Sequence, residues 1–272
     1  MPTSSLELAR RIERGEAVNI ATRIDAMRAA EPASPAARLE VAGGQAGFCA
    51  HGSPLNDARG LGMEGPVSDA DLDALEAFYR ALGEPVTVHL SPYADPSLTT
   101  ALGRRDYHLT DFEQVLVRGV ERGSRRAAQV GRVRVERVAR DEAASWSRVV
   151  AEGFGGAEAL TDAGIAVGVT LFHAPDVTCF RAFVDGEPAG GAAVQCVSGL
   201  GVAYLFAAST LPAHRQRGVQ AALLEARLAH AGESGCDLAT VSTVPGTASQ
   251  RNVERHGFRV AYTRVIVVRA AA

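Results

Sequence analysis

The stretch HRQRGVQAALL, from His214 to Leu224, constrains the fold more than any other part of the chain. The segment GVAYLFAAS just before it predicts a strand, and the apolar residues after it recur at helical spacing to about Ala231. Arg215, Arg217 and Gly218 lie in the turn between them. The first amides of a helix lack intrahelical partners and the helix dipole adds a positive end. A strand, an arginine-rich turn and a helix in this order therefore predict an anion site.

The residues of this stretch divide into two groups. Gly218 lets the backbone approach an anion closely, and Arg215 and Arg217 can donate charge-assisted hydrogen bonds to phosphate. The apolar stripe that would hold the helix against a sheet consists of Val219, Ala222, Leu223 and Ala226. Arginine and glycine also occur at helix starts that bind nothing, so the turn alone does not decide the function.

Composition narrows the function classes. The chain has 272 residues, enough for two domains, with 47% hydrophobic residues and a formal net charge of -3. That charge argues against a general affinity for nucleic acid. Every basic side chain is an arginine, which is typical of a GC-rich bacterial genome and excludes a Schiff-base or Walker-type lysine.

The cysteines and the apolar runs indicate the compartment. Cys49, Cys179, Cys196 and Cys236 lie far apart, without the C-x-x-C spacing of a metal or redox site. The chain opens without a charged and then apolar leader, and its longest apolar runs are too short to span a bilayer. We therefore expect a cytoplasmic protein with reduced thiols, no bound metal and no membrane partner.

The first half predicts an alternation of helices and strands. Leu6–Arg14 and Ile20–Ala29 have helical periodicity, and Asp95–Leu102 is a short helix. A further helix opens at Ser68, with Asp71 at the capping-box position. The predicted strands of this half are ARLEVAG, AGFCAHG, PVTVHLS and DFEQVLVR.

The second half repeats this succession. Glu142–Glu152 and Ala159–Phe172 are predicted helices, and the pair Asp185 and Gly186 predicts a hairpin turn. The last helix is predicted in TASQRNVERHG, and the predicted strands are VRVERV, VTCFRAFVDGE, AGGAAVQCV, GVAYLFAAS, DLATVST and YTRVIVVR. The repetition, at a period of roughly 130 residues, indicates an internal duplication. We predict an α/β (α+β) protein with domains at 1–122 and 133–272, joined by an arginine-rich linker at 123–132.

The second half resembles the GNAT superfamily of acyl-CoA-dependent N-acetyltransferases. The family signature at this turn is R/Q-x-x-G-x-G/A, and Arg215 and Gly218 match it, with Pro212 just upstream. Gln220 departs from it, because the family usually has glycine or alanine there. We expect its backbone amide still to serve, with the side chain redirected or adding a bond. The resemblance extends from about Val133 to Arg269 and includes the ending ERHGFRVAYTRVIVVR.

This resemblance implies acetyl-CoA as the cofactor. The strand ending at Thr210 would pair with the pantetheine arm near Ala208, amides of the turn would cradle the pyrophosphate, and Asn252 would lie beside the CoA arm. The binding residues implied in this way are Ala208, Thr210, Arg215, Gln216, Arg217, Gly218, Val219, Gln220, Ala221, Ala222 and Asn252.

The first half resembles a second, eroded GNAT unit. Its glycine-bearing turn, ARGLGMEGP, lacks the family spacing, and Glu64, Asp69 and Asp71 stand where an anion would bind. Since carboxylates repel a pyrophosphate, we expect no CoA site here. The resemblance then implies two GNAT-like mixed-sheet domains that form a pseudo-dimer, with the first half walling the substrate cleft.

A general base and a general acid are not evident. No carboxylate lies between Pro188 and Leu224, and the family's frequent tyrosine falls at Val253. Tyr204 and Tyr262 are weak candidates, because tyrosines in strands more often serve packing. The interpretation is therefore direct transfer in a ternary complex, driven by proximity rather than by an acyl-enzyme.

Two functions remain open. The first is an N-acetyltransferase that moves an acetyl group from acetyl-CoA to an amine of a small or amino-acid-like acceptor. The second is a non-catalytic acyl-CoA sensor or interaction protein, which the missing base and acid favour. A Rossmann-type dinucleotide binder is disfavoured, because no G-x-G-x-x-G follows an early strand. An internal pseudo-dimer is compatible with either a monomer or a homodimer.

Overall fold

The computed structural model describes residues 5–121, 123, 129–130 and 132–271. Most of the expected linker, 124–128 and 131, lies outside these residues. Helices and strands alternate in this order: α1 (Leu6–Ala30), β1 (Ala37–Val41), β2 (Gly44–Phe48), β3 (Ala58–Arg59), α2 (Asp69–Ala81), β4 (Val86–Leu90), α3 (Pro96–Leu102), β5 (His108–Gly119), β6 (Gln129–Val130), β7 (Val133–Arg137), α4 (Ala143–Gly155), α5 (Asp162–Thr170), β8 (Val177–Val184), β9 (Glu187–Val197), β10 (Val202–Thr210), α6 (Val219–Glu233), β11 (Leu238–Thr243), α7 (Ala248–Arg255) and β12 (Arg259–Arg269). The predicted α/β class is confirmed.

The chain forms two compact units. Unit 1 contains Met1–Leu116, Thr243–Thr247 and Arg259–Ala272, and unit 2 contains Val117–Ser242 and Ala248–Phe258. Strand β12 therefore belongs to the unit formed mainly by the first half. The sequence predicted two contiguous domains, at 1–122 and 133–272. The main difference in the structure is that β12, near the end of the chain, belongs to unit 1. Its cause is strand pairing, because β12 pairs antiparallel with β4 from Val265 opposite Leu90 onward.

Unit 1 is a mixed sheet with a strand order of β1-β2-β3-β4-β12-β5. Strands β1 and β2 form a hairpin, and β3 runs parallel to β4. Helices α2 and α3 contribute Leu72, Leu75 and Leu98 to a core that also contains Val88. Each of these four residues is at most 1% exposed. Helix α1 contacts β1, β2 and β3.

Unit 2 contains strands in the order β11-β10-β9-β8-β7-β6. Strands β7 to β10 are antiparallel neighbours, and β10 runs parallel to β11. Both α4 and α6 pack against β9 and β10. Trp146 of α4 is fully buried and donates its indole N–H to the Phe180 carbonyl. These contacts fix the strand and helix that flank the arginine-rich turn.

Local signals predicted most element positions. Ser68 caps α2 in the expected capping box with Asp71, and Asp185 and Gly186 form the expected turn with φ of 53° and 91°. The prediction of two N-terminal helices was wrong, because α1 is continuous from Leu6 to Ala30. Its middle, including Gly15, is held by packing of a buried face rather than by helix propensity. Among the described residues, no helix is long and apolar enough to cross a membrane.

Candidate functional site

The start of α6 carries unsatisfied backbone donors. Gly218 is the N-cap residue, with φ of 82° and no side-chain cap. Gln216 also has a positive φ, of 61°, whereas the intervening Arg217 does not. Alternation of right- and left-handed residues is the geometry by which successive backbone N–H groups form anion-binding concavities in proteins. The turn therefore has the backbone geometry that such a concavity requires, next to the uncapped start of α6.

The turn is exposed while the helix behind it is buried. Residues 215–218 are all exposed to solvent. Val219, Ala222 and Leu223 are each no more than 2% exposed, which anchors the first turns of α6 against the sheet. A Cβ at Gly218 would meet nothing within 4 Å, so the glycine is required by its left-handed φ rather than by crowding.

The two arginines of the turn contact the body of unit 2. Arg217 forms an ion pair of 2.6 Å with Asp185 in the β8–β9 turn. Arg215 lies 3.5 Å from the Gly153 carbonyl at the end of α4, which is a long contact. Both residues are exposed, so either side chain can turn toward an anion at a small cost, which for Arg217 is the loss of an exposed ion pair.

Gln220 has a structural partner. Its Nε2 donates to Thr210 Oγ1 at 2.9 Å, which joins the first turn of α6 to the end of β10. The side chain is thus redirected away from the turn, and the Gln220 amide is on the open first turn of the helix. Glycine or alanine at this position would lack this bond.

Strand β10 is irregular beside the turn. Its pairing with β9 shifts between Phe206 and Ser209, and Ala207 has φ of 51°. Its pairing with β11 ends at Tyr204 and Thr240. A Cβ on Gly190 of β9 would lie 2.4 Å from the Ser209 carbonyl oxygen, so only glycine lets the strands approach here. Beyond Tyr204, the end of β10 therefore separates from β11.

The remaining predicted site residues lie on different elements. Ala208 is half-buried in the irregular part of β10, and Asn252 is half-buried on α7. Tyr204 is 4% exposed within β10. Tyr262 belongs to unit 1, where its hydroxyl donates to Glu13 Oε1 at 2.7 Å. Burial and the Glu13 charge raise the pKa of Tyr262 well above its ordinary value, so this phenol is a structural donor.

Sequence reasoning missed Arg227 on α6. It is 3% exposed, and its Nε donates to the Leu223 carbonyl one helical turn earlier. Its Nη1 lies 3.4 Å from the Ala193 carbonyl oxygen and 3.5 Å from that of Phe206. Burial lowers the pKa of Arg227. The sequence signal was its apolar helical neighbourhood, in which an arginine is unusual.

The corresponding turn in unit 1 is closed by its own side chains. Ser68 and Asp71 cap the first amides of α2, and the Val67 amide donates to Ser97 Oγ at 2.8 Å. Glu64 pairs with Arg14 at 2.8 Å. The amides of Val67, Ser68 and Asp71 are therefore already bonded to side chains, and carboxylates line the turn.

A second set of charges, missed in the sequence, is buried in unit 1. Arg264 is fully buried and donates to Glu13, Glu16 and Glu113 at 2.8, 3.1 and 2.9 Å. Although burial opposes it, these carboxylates raise the pKa of Arg264. His89 lies 3.3 Å from the Glu113 carboxylate. Although burial again opposes it, His89 and Arg264 lower the pKa of Glu113.

Asp57 and Arg59 complete this buried charge cluster, which we define as Glu13, Glu16, Asp57, Arg59, His89, Glu113, Tyr262 and Arg264. Arg59 donates to Asp57 at 2.8 Å. The cluster connects α1 with β3, β4, β5 and β12. Among the described residues, no group of His, Cys, Asp and Glu has the arrangement of a metal site.

Comparison with known proteins agrees with this geometry. The profile of the Acetyltransferase (GNAT) family matches residues 140–258, which include the turn and α6. No curated protein matches the chain at a significant level.

Solved structures extend the similarity to the rest of the chain. A GCN5-related N-acetyltransferase from Kribbella flavida has a TM-score of 0.63 at 20% identity, covering 92% of this chain and 95% of that one. A tandem GNAT protein from the clavulanic acid biosynthesis pathway, solved without AcCoA, has a TM-score of 0.60 at 16% identity, covering 93% and 95%. At such identities the likeness concerns the fold. Residues 140–258 thus resemble the GNAT acetyltransferase family, within a chain that has the fold of tandem GNAT proteins.

Proposed function

We propose that this protein transfers an acetyl group from acetyl-CoA to an amine of a small or amino-acid-like acceptor, directly and within a ternary complex. One observation carries the proposal: the uncapped start of α6, where Gln216 and Gly218 alternate in φ with their neighbours and direct amides outward. This surface fits a diphosphate, which is anionic and accepts several hydrogen bonds at once.

Each part of the site then has a role. Amides of residues 216–221 would hold the pyrophosphate, and Arg215 and Arg217 would add charge-assisted bonds. The Ala222 amide, expected from the sequence to take part, instead donates to the Gly218 carbonyl at 3.0 Å. Backbone groups near Ala208 and Thr210 would hold the pantetheine arm, with Asn252 beside it. When bound, acetyl-CoA supplies an activated thioester, whose carbon–sulfur bond breaks as the carbon–nitrogen bond to the acceptor forms, giving an amide and the CoA thiol.

The state of the cysteines supports direct transfer. Cys179, Cys196 and Cys236 are each no more than 8% exposed. Burial raises the pKa of Cys179 to about 12, so it is not a thiolate at neutral pH. The thiol of Cys196 is likewise held protonated, because its hydrogen bond to Cys236 and its burial raise its pKa. An acyl-enzyme on these sulfurs is therefore disfavoured.

The satisfied turn of unit 1 supports a single CoA site. The amides of Val67, Ser68 and Asp71 are bonded to side chains, and Asp71 places a negative charge at the start of α2. We accordingly expect one acetyl-CoA per chain.

Calorimetric titration with acetyl-CoA tests the binding half of the proposal. Gly218→Glu would place a carboxylate at the anion site and should weaken binding at least about tenfold, equivalent to about 1.4 kcal/mol. Gly235→Glu is the matched control, because Gly235 has φ of 80°, open space around its Cβ position, and a place just after the other end of α6. Equal losses in both variants, or no binding by the wild type, would reject the site.

A second function, a non-catalytic acyl-CoA sensor, is favoured by one observation. No carboxylate lies between Pro188 and Leu224, so β10 carries no evident general base. Release of CoA thiol in the presence of a panel of primary amines distinguishes the two. Amine-dependent thiol release supports the transferase, whereas binding without any release supports the sensor.

A further inference from the structure

Arg227 is a buried cation without a carboxylate partner in the part of the chain that the structure describes. Arg264 in unit 1, which is equally buried, contacts three carboxylates, whereas Arg227 contacts only backbone carbonyls. An unpaired buried charge is costly to the fold. The guanidinium nevertheless stays protonated near neutral pH. Because the buried Arg227 charge destabilises the fold, its presence indicates that the charge has a function.

The position of this charge is specific. Ala193 and Phe206, whose carbonyl oxygens face Nη1 of Arg227, are cross-strand partners in β9 and β10. They form the last regular pair before the register shift that ends at Ser209. The cation therefore lies behind the first peptide of the irregular part of β10, at the middle of the helix whose N-terminus follows the arginine-rich turn.

A cation beside a carbonyl oxygen changes the whole peptide group. Drawing electron density toward the Phe206 oxygen makes the N–H on the other side of that peptide, at Ala207, a stronger hydrogen-bond donor. In a low-dielectric interior the positive charge also acts over a longer distance than in water. Acyl transfer from a thioester places negative charge on the acyl oxygen in the transition state, which preorganised donors stabilise.

We propose that Arg227 is a positioning residue for acyl transfer, a buried cation that polarises the Phe206–Ala207 peptide toward the acyl oxygen of a thioester bound along β10. This inference rests on the proposed function and deepens it. The Arg227 cation would stabilise negative charge on the acyl oxygen in a site whose strand β10 has no carboxylate base. It acts through the backbone and does not touch the acceptor.

The carbonyl stretch of bound acetyl-CoA, labelled with carbon-13 at the acetyl carbonyl and observed by infrared difference spectroscopy, measures this polarisation directly. We expect a shift to lower frequency on binding to the wild type, most of which Arg227→Met abolishes. Arg227→Lys keeps the charge and should keep most of the shift. The amine-dependent kcat should fall about tenfold in Arg227→Met, below the 10²–10³ for a direct oxyanion donor, with little change in the Kd for acetyl-CoA.

Arg181→Met is the matched control, since Arg181 is also buried in unit 2 but pairs with Glu142 at 2.9 Å. It should lower stability without moving the carbonyl frequency. If Arg227→Met does not fold, Arg227→Gln, a neutral donor, carries the test in its place. Equal carbonyl frequencies in the wild type and the neutral Arg227 variant would overturn this inference while leaving the proposed function intact. Failure of the wild type to bind acetyl-CoA would overturn both.

Discussion

Arg264 and Arg227 show how the surroundings of a buried arginine decide what it contributes to the stability of the fold. Arg264 donates to Glu13, Glu16 and Glu113, all in unit 1. Removing it would leave the fully buried Glu13 without its arginine, and would leave Glu16 and Glu113 with only Arg59 and His89 beside them. Because an uncompensated buried charge is far more costly than a missing pair, Arg264→Met should lower the free energy of unfolding by about 3–5 kcal/mol, measured by urea denaturation.

The matched control for this variant is Arg38→Met. Arg38 also donates to a carboxylate at 2.8 Å, but its partner Asp25 is 54% exposed. Water solvates Asp25 when the arginine is removed, so the loss should stay below about 1 kcal/mol. Similar losses in the two variants would mean that the buried charge cluster does not hold unit 1 together.

Glu113 makes stability depend on pH in a defined direction. Its pKa in the folded chain lies below the ordinary 4.5, because His89 and Arg264 outweigh the cost of burial. The carboxylate therefore stabilises the fold above the unfolded pKa, and this contribution is lost as pH falls from about 4.5 toward the folded pKa. Urea unfolding at pH 7, 5 and 3 should show a steeper acid-side decline for the wild type than for Glu113→Gln. A parallel decline would contradict this assignment, and Glu40→Gln, at an exposed position of β1, is the control.

At the scale of elements, the contact between β9 and β10 determines the shape of the candidate site. Alanine at Gly190 would place a Cβ 2.4 Å from the Ser209 carbonyl oxygen. Since backbone cannot yield as a side chain does, Gly190→Ala should cost at least about 1–3 kcal/mol and weaken acetyl-CoA binding by displacing the end of β10. Thermal unfolding and calorimetric titration measure the two effects.

Gly199→Ala, in the short turn between β9 and β10, provides the comparison. A Cβ there meets nothing within 4 Å and the backbone is not left-handed, so stability should change by less than about 0.5 kcal/mol. Unchanged acetyl-CoA affinity in Gly190→Ala would contradict the assignment of the pantetheine arm to β10.

Elements with local signals could be predicted, and those held by distant contacts could not. The start of α2 follows from Ser68 and Asp71, which act within one helical turn. The turn before α6 follows from its arginines and Gly218. The bond from Gln220 to Thr210 was left open, because only the packing of α6 beside β10 brings these side chains together. Arg227 was missed for the same reason, since its partners lie on two strands.

At the scale of the whole molecule, the placement of β12 was beyond local reasoning. Its alternating apolar pattern predicts a strand, but the pattern does not say which strand it pairs with. Pairing with β4 joins residues that are far apart in the sequence, such as Val265 and Leu90. Arg264 and Tyr262 on the same strand then reach Glu13 of α1. Unit 1 is therefore completed by the last segment of the chain.

A chain that ends at Phe258 tests this dependence. It lacks every β4–β12 hydrogen bond and leaves the carboxylates of Glu13 and Glu113 without Arg264, so unit 1 should lose its cooperative fold. Hydrogen exchange should then show loss of protection for the amides of β4, whereas those of β8 and β9, which pair within unit 2, serve as the internal reference. A chain that ends at Arg269 keeps all β4–β12 pairs and should protect β4 like the wild type. Retained protection of β4 in the shorter chain would mean that unit 1 reaches its fold without the strand that the pairing assigns to it.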